Sequence, residues 1–178
     1  MVGSHGVGYA VDGLRSSYLG RLIEFPELPL RTGAWQSIKQ GNSGQLVRLH
    51  LPLDGGDVPV AYKRIRRQGW QKIVSDFVRT HRALRAWQFG HELLKRGIST
   101  ARPLAVVIPG RFADADAFMA PEWNEGAGNL HHFAMRMETL EARDRHRRLK
   151  AAAASLGREL GRLHESNVTH RDLKAANL

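Results

Sequence analysis

The feature that most constrains the fold is an amphipathic helix that leads into a short polar segment near residue 170. Apolar residues recur at spacings of three and four, which predicts one apolar helix face: Leu149, Ala152, Ala153, Leu156, Leu160 and Leu163. Ser166 and Asn167 predict a turn after the helix, because Asn tolerates a left-handed backbone. Val168 and Thr169 predict a short strand. A polar loop follows this strand.

That loop is the run His170-Arg171-Asp172-Leu173-Lys174-Ala175-Ala176-Asn177, which resembles the protein-kinase catalytic loop H-R-D-L-x-x-x-N. The resemblance implies that Asp172 accepts or orients the proton of an attacking hydroxyl, and that Asn177 binds a magnesium ion. It also implies that Lys174 offsets charge on the transferred phosphate and that Arg171 braces the loop. The alternative is a charged surface turn with the same order of residues.

A kinase also needs a strand lysine that holds the α- and β-phosphates of ATP. Val60-Ala61-Tyr62-Lys63 is similar to the V-A-I-K strand of kinases, which makes Lys63 the candidate. A period of two places Ala61 and Lys63 on one face and Val60 and Tyr62 on the other. Lys39 and Lys72 are the rivals, and neither follows an alternating strand so cleanly.

The segment before Lys63 predicts three antiparallel strands over 36–64. Asp54-Gly55-Gly56-Asp57 is a strong hairpin signal ahead of the lysine strand. Gly41, Asn42, Ser43 and Gly44 form the turn before it, and backbone N–H groups in such a turn can point at phosphate oxygens. This turn does not have the G-x-G-x-x-G pattern, so a plain hairpin is the alternative interpretation.

After the lysine strand, the sequence predicts a helix over about 75–96 that ends at Gly97. Kinases pair the strand lysine with a glutamate on this helix. Glu92 is the only glutamate in the segment and it lies close to the C-terminal end, which leaves the partner of Lys63 open.

A turn and a strand over 98–108, and a second short strand over 117–120, then lead to a candidate hinge. Glu122 and Trp123 are expected to hydrogen-bond adenine through their backbone, with simple packing as the alternative for Trp123. Asn129 and Leu130 predict the start of the next helix.

Several strings resemble the bacterial lipopolysaccharide kinase family (the Kdo kinase/WaaP/InaA group). They are Tyr62-Lys63-Arg64, Arg82-Ala83-Leu84-Arg85-Ala86-Trp87, Gly97-Ile98-Ser99-Thr100-Ala101-Arg102-Pro103-Leu104-Ala105 and Leu163-His164-Glu165-Ser166-Asn167-Val168-Thr169-His170-Arg171-Asp172-Leu173. The last string carries Asn167 where the family has Gly. The resemblance implies transfer from ATP, with Mg²⁺, to a sugar hydroxyl of the lipopolysaccharide core at the cytoplasmic face of the membrane.

Composition bounds the class of protein. The absence of cysteine excludes disulfides and thiolate metal sites. No apolar stretch of about 20 residues and no signal-peptide core are present, so a cytoplasmic location is expected. The net charge is +10, and basic clusters at 63–72 and 143–150 favour an anionic membrane or glycolipid partner at the inner face of the cytoplasmic membrane. Nucleic acid is not expected as a partner. The alternative interpretation of the two basic clusters is an ordinary solvated surface.

These features predict an α+β, protein-kinase-like fold. It would comprise an antiparallel-sheet small lobe with one main helix and the start of a helical large lobe. The expected divisions are an N-terminal extension (1–35), the small lobe (36–122), and a hinge with part of a large lobe (123–178). A D-F-G aspartate should follow in a longer protein, so this stretch alone is expected to be inactive.

The predicted function is an ATP-dependent phosphotransferase that acts on a hydroxyl, with a lipopolysaccharide-core sugar as the expected acceptor. The form H-R-D-L-K-x-x-N keeps a Ser/Thr protein kinase as an alternative. The imperfect glycine turn and the missing helix glutamate keep a non-catalytic pseudokinase or binding module as another.

Overall fold

The computed structural model describes residues 2–3, 6–31, 36–41, 44–66, 81–110 and 116–169. Its strands are β1 (Val2–Gly3), β2 (Gly6–Ala10), β3 (Gln36–Gly41), β4 (Gly44–Leu53), β5 (Gly56–Ile65), β6 (Pro103–Pro109) and β7 (Ala117–Pro121). Its helices are α1 (Ser16–Glu24), α2 (Leu28–Arg31), α3 (Arg82–Lys95), α4 (Leu130–Met137) and α5 (Ala142–Glu165). The described strands form one antiparallel sheet in the order β1-β2-β6-β7-β5-β4-β3.

The three strands predicted over 36–64 are confirmed as β3, β4 and β5. The first hairpin pairs Gly41 with Gly44, and the second pairs Leu53 with Gly56. Gly56 has a φ of +119°, a conformation that favours glycine, which explains why this turn was readable from sequence. The two hairpins bring β5, which carries Lys63, next to β4.

The two later strands are also confirmed, and they complete the centre of the sheet. β7 pairs with β5 through Lys63–Ile65 and with β6 on its other edge. Gly110 ends β6 with a φ of +85°. The antiparallel sheet with α3 as its main described helix is the predicted α+β arrangement.

The sheet carries a buried core on each face. Val60 and Tyr62 of β5 and Leu49 of β4 are almost fully buried in the larger core, together with residues of α1. On the opposite face Ala83 of α3 packs with Val106 and Ala117, and Ile65 of β5 contacts this smaller cluster. Alternation along β5 therefore divides its side chains between the two cores.

The N-terminal segment contributes to this sheet, although the sequence interpretation set residues 1–35 apart as an extension. β2 pairs with β6 along its whole length, from Gly6 opposite Pro109 to Ala10 opposite Ala105. Leu19, Leu22 and Ile23 of α1 are buried in the larger core. Their spacing of three and four is an amphipathic signal that the sequence interpretation did not use.

The chain divides into two compact units, residues 1–94 with 100–123, and residues 95–99 with 124–178. The second unit contains α4 and α5. Asn129 caps α4 as predicted, since its side-chain oxygen accepts a hydrogen bond from the backbone N–H of His132 at 2.8 Å. Within the same unit, Arg96 donates a 2.9 Å hydrogen bond to the carbonyl oxygen of Ser166.

The helix predicted around 149–163 is confirmed as α5, and its end has a defined cap. Asn167 has a φ of +55°. Its N–H donates to the carbonyl oxygen of His164, and the N–H of Val168 donates to that of Leu163, which is the Schellman pattern. The predicted left-handed Asn is confirmed. The strand predicted at Val168 and Thr169 is not present, because these residues have no regular secondary structure.

Helix α3 confirms part of the helix predicted over 75–96. The described helix is Arg82–Lys95, and the earlier part of the prediction lies outside the described residues. Gly97 follows the helix with a φ of +70°, as expected of a glycine that ends a helix.

Candidate active site

Lys63 lies on β5, between the two neighbouring strands of the sheet. Its register partners are Leu46 of β4 and Met119 of β7. Lys63 shares a face of β5 with Ile65, because side chains two residues apart point the same way. Ile65 packs with the cluster that contains Ala83 of α3. The Lys63 side chain therefore lies on the α3 face of the sheet.

The electrostatics of Lys63 are those of a partly buried cation beside another cation. Burial lowers the pKa of the Lys63 ammonium, and the positive charge of Arg82 lowers it further. Among the described residues, no carboxylate forms an ion pair with Lys63. A cation placed in this way favours an anionic ligand, because such a ligand would restore the charge that burial disfavours.

Glu92 does not take the place of the acidic helix partner that kinases use. It lies ten residues after Arg82 on α3, which corresponds to about 15 Å along the helix axis. Since Arg82 is the α3 residue that acts on the pKa of Lys63, Glu92 lies too far along the helix to pair with that lysine. The partner of Lys63 that the sequence left open is thus not found among the described residues.

The candidate glycine turn lies at the same end of the sheet as Lys63. Gly41 and Gly44 pair as the last residues of β3 and the first of β4. Gly44 precedes Leu46, the register partner of Lys63, by two residues, or about 7 Å along the strand. Asn42 and Ser43, which come between these glycines in the sequence, lie outside the described residues.

The hinge candidates Glu122 and Trp123 already use their backbone N–H groups within the protein. Glu122 N–H donates to the carbonyl oxygen of Arg102 and Trp123 N–H donates to that of Pro59, each at 2.8 Å. These two donors are therefore engaged in the structure. Any contact of these residues with adenine is left to carbonyl oxygens and side chains.

Arg48 is a residue of this region that the sequence interpretation missed. Its guanidinium carbon lies 5.4 Å from the ring centroid of Trp123, a cation–π contact. Its register partner on β5 is Ala61, two residues before Lys63. Val47 and Leu49 are buried on one face of β4, and side chains alternate along a strand. Arg48, which lies between them, is therefore on the opposite face, the same face as Lys63. Trp123 thus packs against Arg48. Packing was the alternative to adenine binding that the sequence offered for this residue.

The catalytic-loop candidates Arg171, Asp172, Lys174 and Asn177 lie outside the described residues. The roles expected for them remain predictions. The described residues contain no group of three or more His, Asp or Glu side chains that could hold a metal ion. Magnesium binding therefore rests on the prediction for Asn177.

No helix in the described ranges combines the length and apolar character needed to cross a membrane. This holds for α5, which has 24 residues and is rich in charged side chains. The basic side chains of its N-terminal half are exposed, namely Arg143, Arg145, Arg147, Arg148 and Lys150.

Comparison with known proteins places the chain in a family. No curated protein and no solved structure was found to match it. The model of the lipopolysaccharide kinase (Kdo/WaaP) family matches residues 56–178, more than half of the chain. The match includes the Lys63 strand, α3 and the run from His170 to Asn177. The family predicted from the sequence is confirmed: the chain belongs to the lipopolysaccharide kinase (Kdo/WaaP) family, whose members are kinases with a protein-kinase-like fold.

Proposed function

We propose that this chain carries the phosphate-binding and catalytic residues of an ATP-dependent phosphotransferase that acts on a hydroxyl of a lipopolysaccharide-core sugar. The observation that carries the proposal is the position of Lys63. It is a partly buried cation on a central strand, next to a glycine-bearing hairpin and without a carboxylate partner among the described residues. A site of this kind is suited to the phosphates of a nucleotide.

The proposed roles follow from the requirements of phosphoryl transfer, which are positioning and charge neutralisation. Lys63 binds the α- and β-phosphates, and the backbone between Gly41 and Gly44 covers them. Asp172 orients the acceptor hydroxyl and takes up its proton. Lys174 offsets negative charge on the transferred group. Mg²⁺, bound through Asn177, would neutralise the phosphate oxygens that it contacts.

Adenine is proposed to lie beside Trp123 and Arg48. The Arg48 guanidinium carbon already lies 5.4 Å from the centroid of the Trp123 indole, so these two side chains are preorganised to contact adenine. The N–H groups of Glu122 and Trp123 are engaged with Arg102 and Pro59. For this reason the proposal assigns adenine recognition to carbonyl oxygens and to stacking.

A Ser/Thr protein kinase is the second candidate, because Lys174 lies two residues after Asp172, as in the form H-R-D-L-K-x-x-N. The two candidates share ATP, Mg²⁺ and the Lys63 site. They differ only in the acceptor. For the sugar kinase, location at the cytoplasmic face of an anionic membrane is part of the proposal, with the exposed basic half of α5 as the contacting surface.

The test is transfer of radiolabelled phosphate from ATP by the full-length protein to dephosphorylated lipopolysaccharide-core oligosaccharide and to generic protein acceptors. Label on the oligosaccharide that disappears in Asp172→Asn is expected. Lys63→Met should lower transfer by orders of magnitude, whereas Lys72→Met serves as the control from the same basic segment and should retain it. Label only on protein would support the second candidate. ATP binding without transfer to either acceptor would indicate a binding module.

A further inference from the structure

The two residues that flank Lys63 along β5 are both anchored to the turn between α1 and α2. The Tyr62 hydroxyl donates a 2.8 Å hydrogen bond to the carbonyl oxygen of Pro26. The Arg64 Nη2 atom lies 3.1 Å from Oε1 of Glu27. Both contacts lie on the face of β5 opposite Lys63, because neighbouring side chains alternate along a strand.

Arg64 also holds the adjacent strand. Its Nε atom donates to Oδ2 of Asp116 at 2.6 Å, and Asp116 immediately precedes β7. A planar guanidinium can engage two carboxylates at fixed angles. Arg64 therefore ties together the α1–α2 turn, β5 and the start of β7.

The turn itself is well defined. The N–H of Leu28 donates to the carbonyl oxygen of Phe25 at 3.1 Å, which closes a turn with Pro26 at its second position. The N–H of Leu30 donates to the carbonyl oxygen of Glu27. Burial raises the pKa of the Tyr62 hydroxyl, so it remains a proton donor at neutral pH.

This anchoring acts at one end of the short ladder between β5 and β7. The ladder between β5 and β7 consists of Lys63, Arg64 and Ile65 opposite Met119, Phe118 and Ala117. Lys63 is the first of these three pairs. The contacts of Tyr62 and Arg64 on the opposite face of the sheet therefore help to fix the backbone position of Lys63, which faces the candidate phosphate site.

We propose that the Pro26–Glu27 turn positions Lys63 for phosphate binding through Tyr62 and Arg64. Pro26 and Glu27 lie before residue 56, where the family match begins, so the match does not assign this role. The inference rests on the proposed phosphate-binding role of Lys63. Glu27 and Arg64 are positioning residues in this scheme and do not contact the nucleotide.

The test compares the affinity of full-length protein for a non-hydrolysable ATP analogue with its affinity for adenosine. The ratio of the two affinities isolates the contribution of the phosphates to binding. Displacement of Lys63 should lower this ratio. Tyr62→Phe removes the contact to Pro26 without a change in charge, and Glu27→Gln removes the ion pair. The matched controls are Tyr9→Phe on β2 and Glu24→Gln on α1, which alter the same groups outside this anchor.

The expected result is that Tyr62→Phe and Glu27→Gln each lower the ratio about three- to tenfold, equivalent to about 0.7–1.4 kcal/mol. The controls should leave it unchanged. In a Lys63→Met background neither variant should lower the ratio further, because the effect is transmitted through Lys63. Glu27 is half exposed, so its ion pair contributes little stability and the unfolding midpoint of Glu27→Gln should stay near that of the parent.

Other outcomes separate this inference from the proposed function. If Lys63→Met lowers the ratio and the two anchor variants do not, the positioning role is refuted and the function stands. Equal loss of affinity for the analogue and adenosine, or an undiminished effect in the Lys63→Met background, would also refute positioning through Lys63. If Lys63→Met retains the full ratio, the phosphate-binding role fails, and the inference fails with it.

Discussion

Gly90 of α3 lies directly against Pro103 of β6: a Cβ atom at Gly90 would be 2.6 Å from Cγ and 3.3 Å from Cδ of the proline ring. Gly90 is buried in the middle of the helix, where glycine lowers helix propensity. The close approach of helix and strand accounts for its presence. It also sets how near α3, with Arg82 at its start, lies to the sheet that carries Lys63.

Gly90→Ala is therefore expected to destabilise the protein although alanine favours helix. The proline ring is rigid, so α3 must move, at a net cost of about 1–3 kcal/mol. Gly157→Ala in α5 is the matched control, because nothing lies within 4 Å of the added Cβ. That variant should be stabilised by about 0.5–1 kcal/mol. Urea unfolding followed by circular dichroism measures both, and equal stabilisation of the two variants would contradict the close packing.

The second prediction concerns the cap of α5 at Asn167, whose φ is +55°. Asn167→Gly should be neutral or slightly stabilising, since glycine adopts this conformation without a steric penalty. Asn167→Ala should cost about 1–2 kcal/mol. Ser166→Ala is the control, because Ser166 has a φ of −84° that alanine adopts readily. An Asn167→Ala variant as stable as Ser166→Ala in thermal unfolding would show that the left-handed cap is not formed.

The lowered pKa of Lys63 predicts proton uptake on nucleotide binding. Between this lowered pKa and the usual lysine value of about 10.4, Lys63 is partly neutral in the free protein and becomes charged beside phosphate. Binding should therefore take up protons in this window, and affinity should fall as pH rises through it. Calorimetry in buffers of different ionisation enthalpy measures the uptake. Lys63→Met should abolish it and Lys72→Met should not.

The same group links protein stability to pH with a defined sign. In this window the unfolded chain keeps the proton that native Lys63 tends to lose, so the free energy of unfolding rises with pH. Below the window the buried charge lowers stability by a constant amount. The difference in unfolding free energy between the parent and Lys63→Met should vary with pH only within this window. If this difference in unfolding free energy does not depend on pH, the Lys63 ammonium is solvated in the native protein and not buried.

The exposed basic half of α5 predicts binding to anionic vesicles. Arg143, Arg145, Arg147, Arg148 and Lys150 are exposed, and Asp144 pairs with Arg147 at 3.0 Å. Each basic residue near an anionic surface contributes about 1 kcal/mol, so replacing Arg143, Arg145 and Arg148 with Gln should weaken binding roughly 100-fold. Cosedimentation with anionic and neutral vesicles at two salt concentrations measures this.

The matched control for the vesicle experiment is Arg158→Gln, which removes one exposed charge from the same helix outside the basic half. It should retain most of the binding. Binding of the parent to neutral vesicles as strong as to anionic ones, or binding that is insensitive to salt, would show that these charges form only a solvated surface.

Local signals in the sequence were sufficient for much of the fold. The hairpin at Gly56 and the ends of α3 and α5 at Gly97 and Asn167 depend on backbone conformations that few residues adopt. The strand of Lys63 can be predicted because its two signals, the alternation of side chains and the preceding hairpin turn, lie within about ten residues of the lysine. These features require no knowledge of which distant segments meet.

Contacts between distant segments required the tertiary structure. The pairing of β2 with β6, Arg48 over Trp123, Arg82 near Lys63 and Arg64 between Glu27 and Asp116 each join residues that are far apart in the chain. Periodicity shows that a side chain faces a core or a site, but not which element covers it. By itself the sequence determined the family, the lysine strand and the local turns. Only tertiary packing decided that the N-terminal segment lies behind Lys63, because the energy of that contact arises from surfaces that meet after the chain has folded.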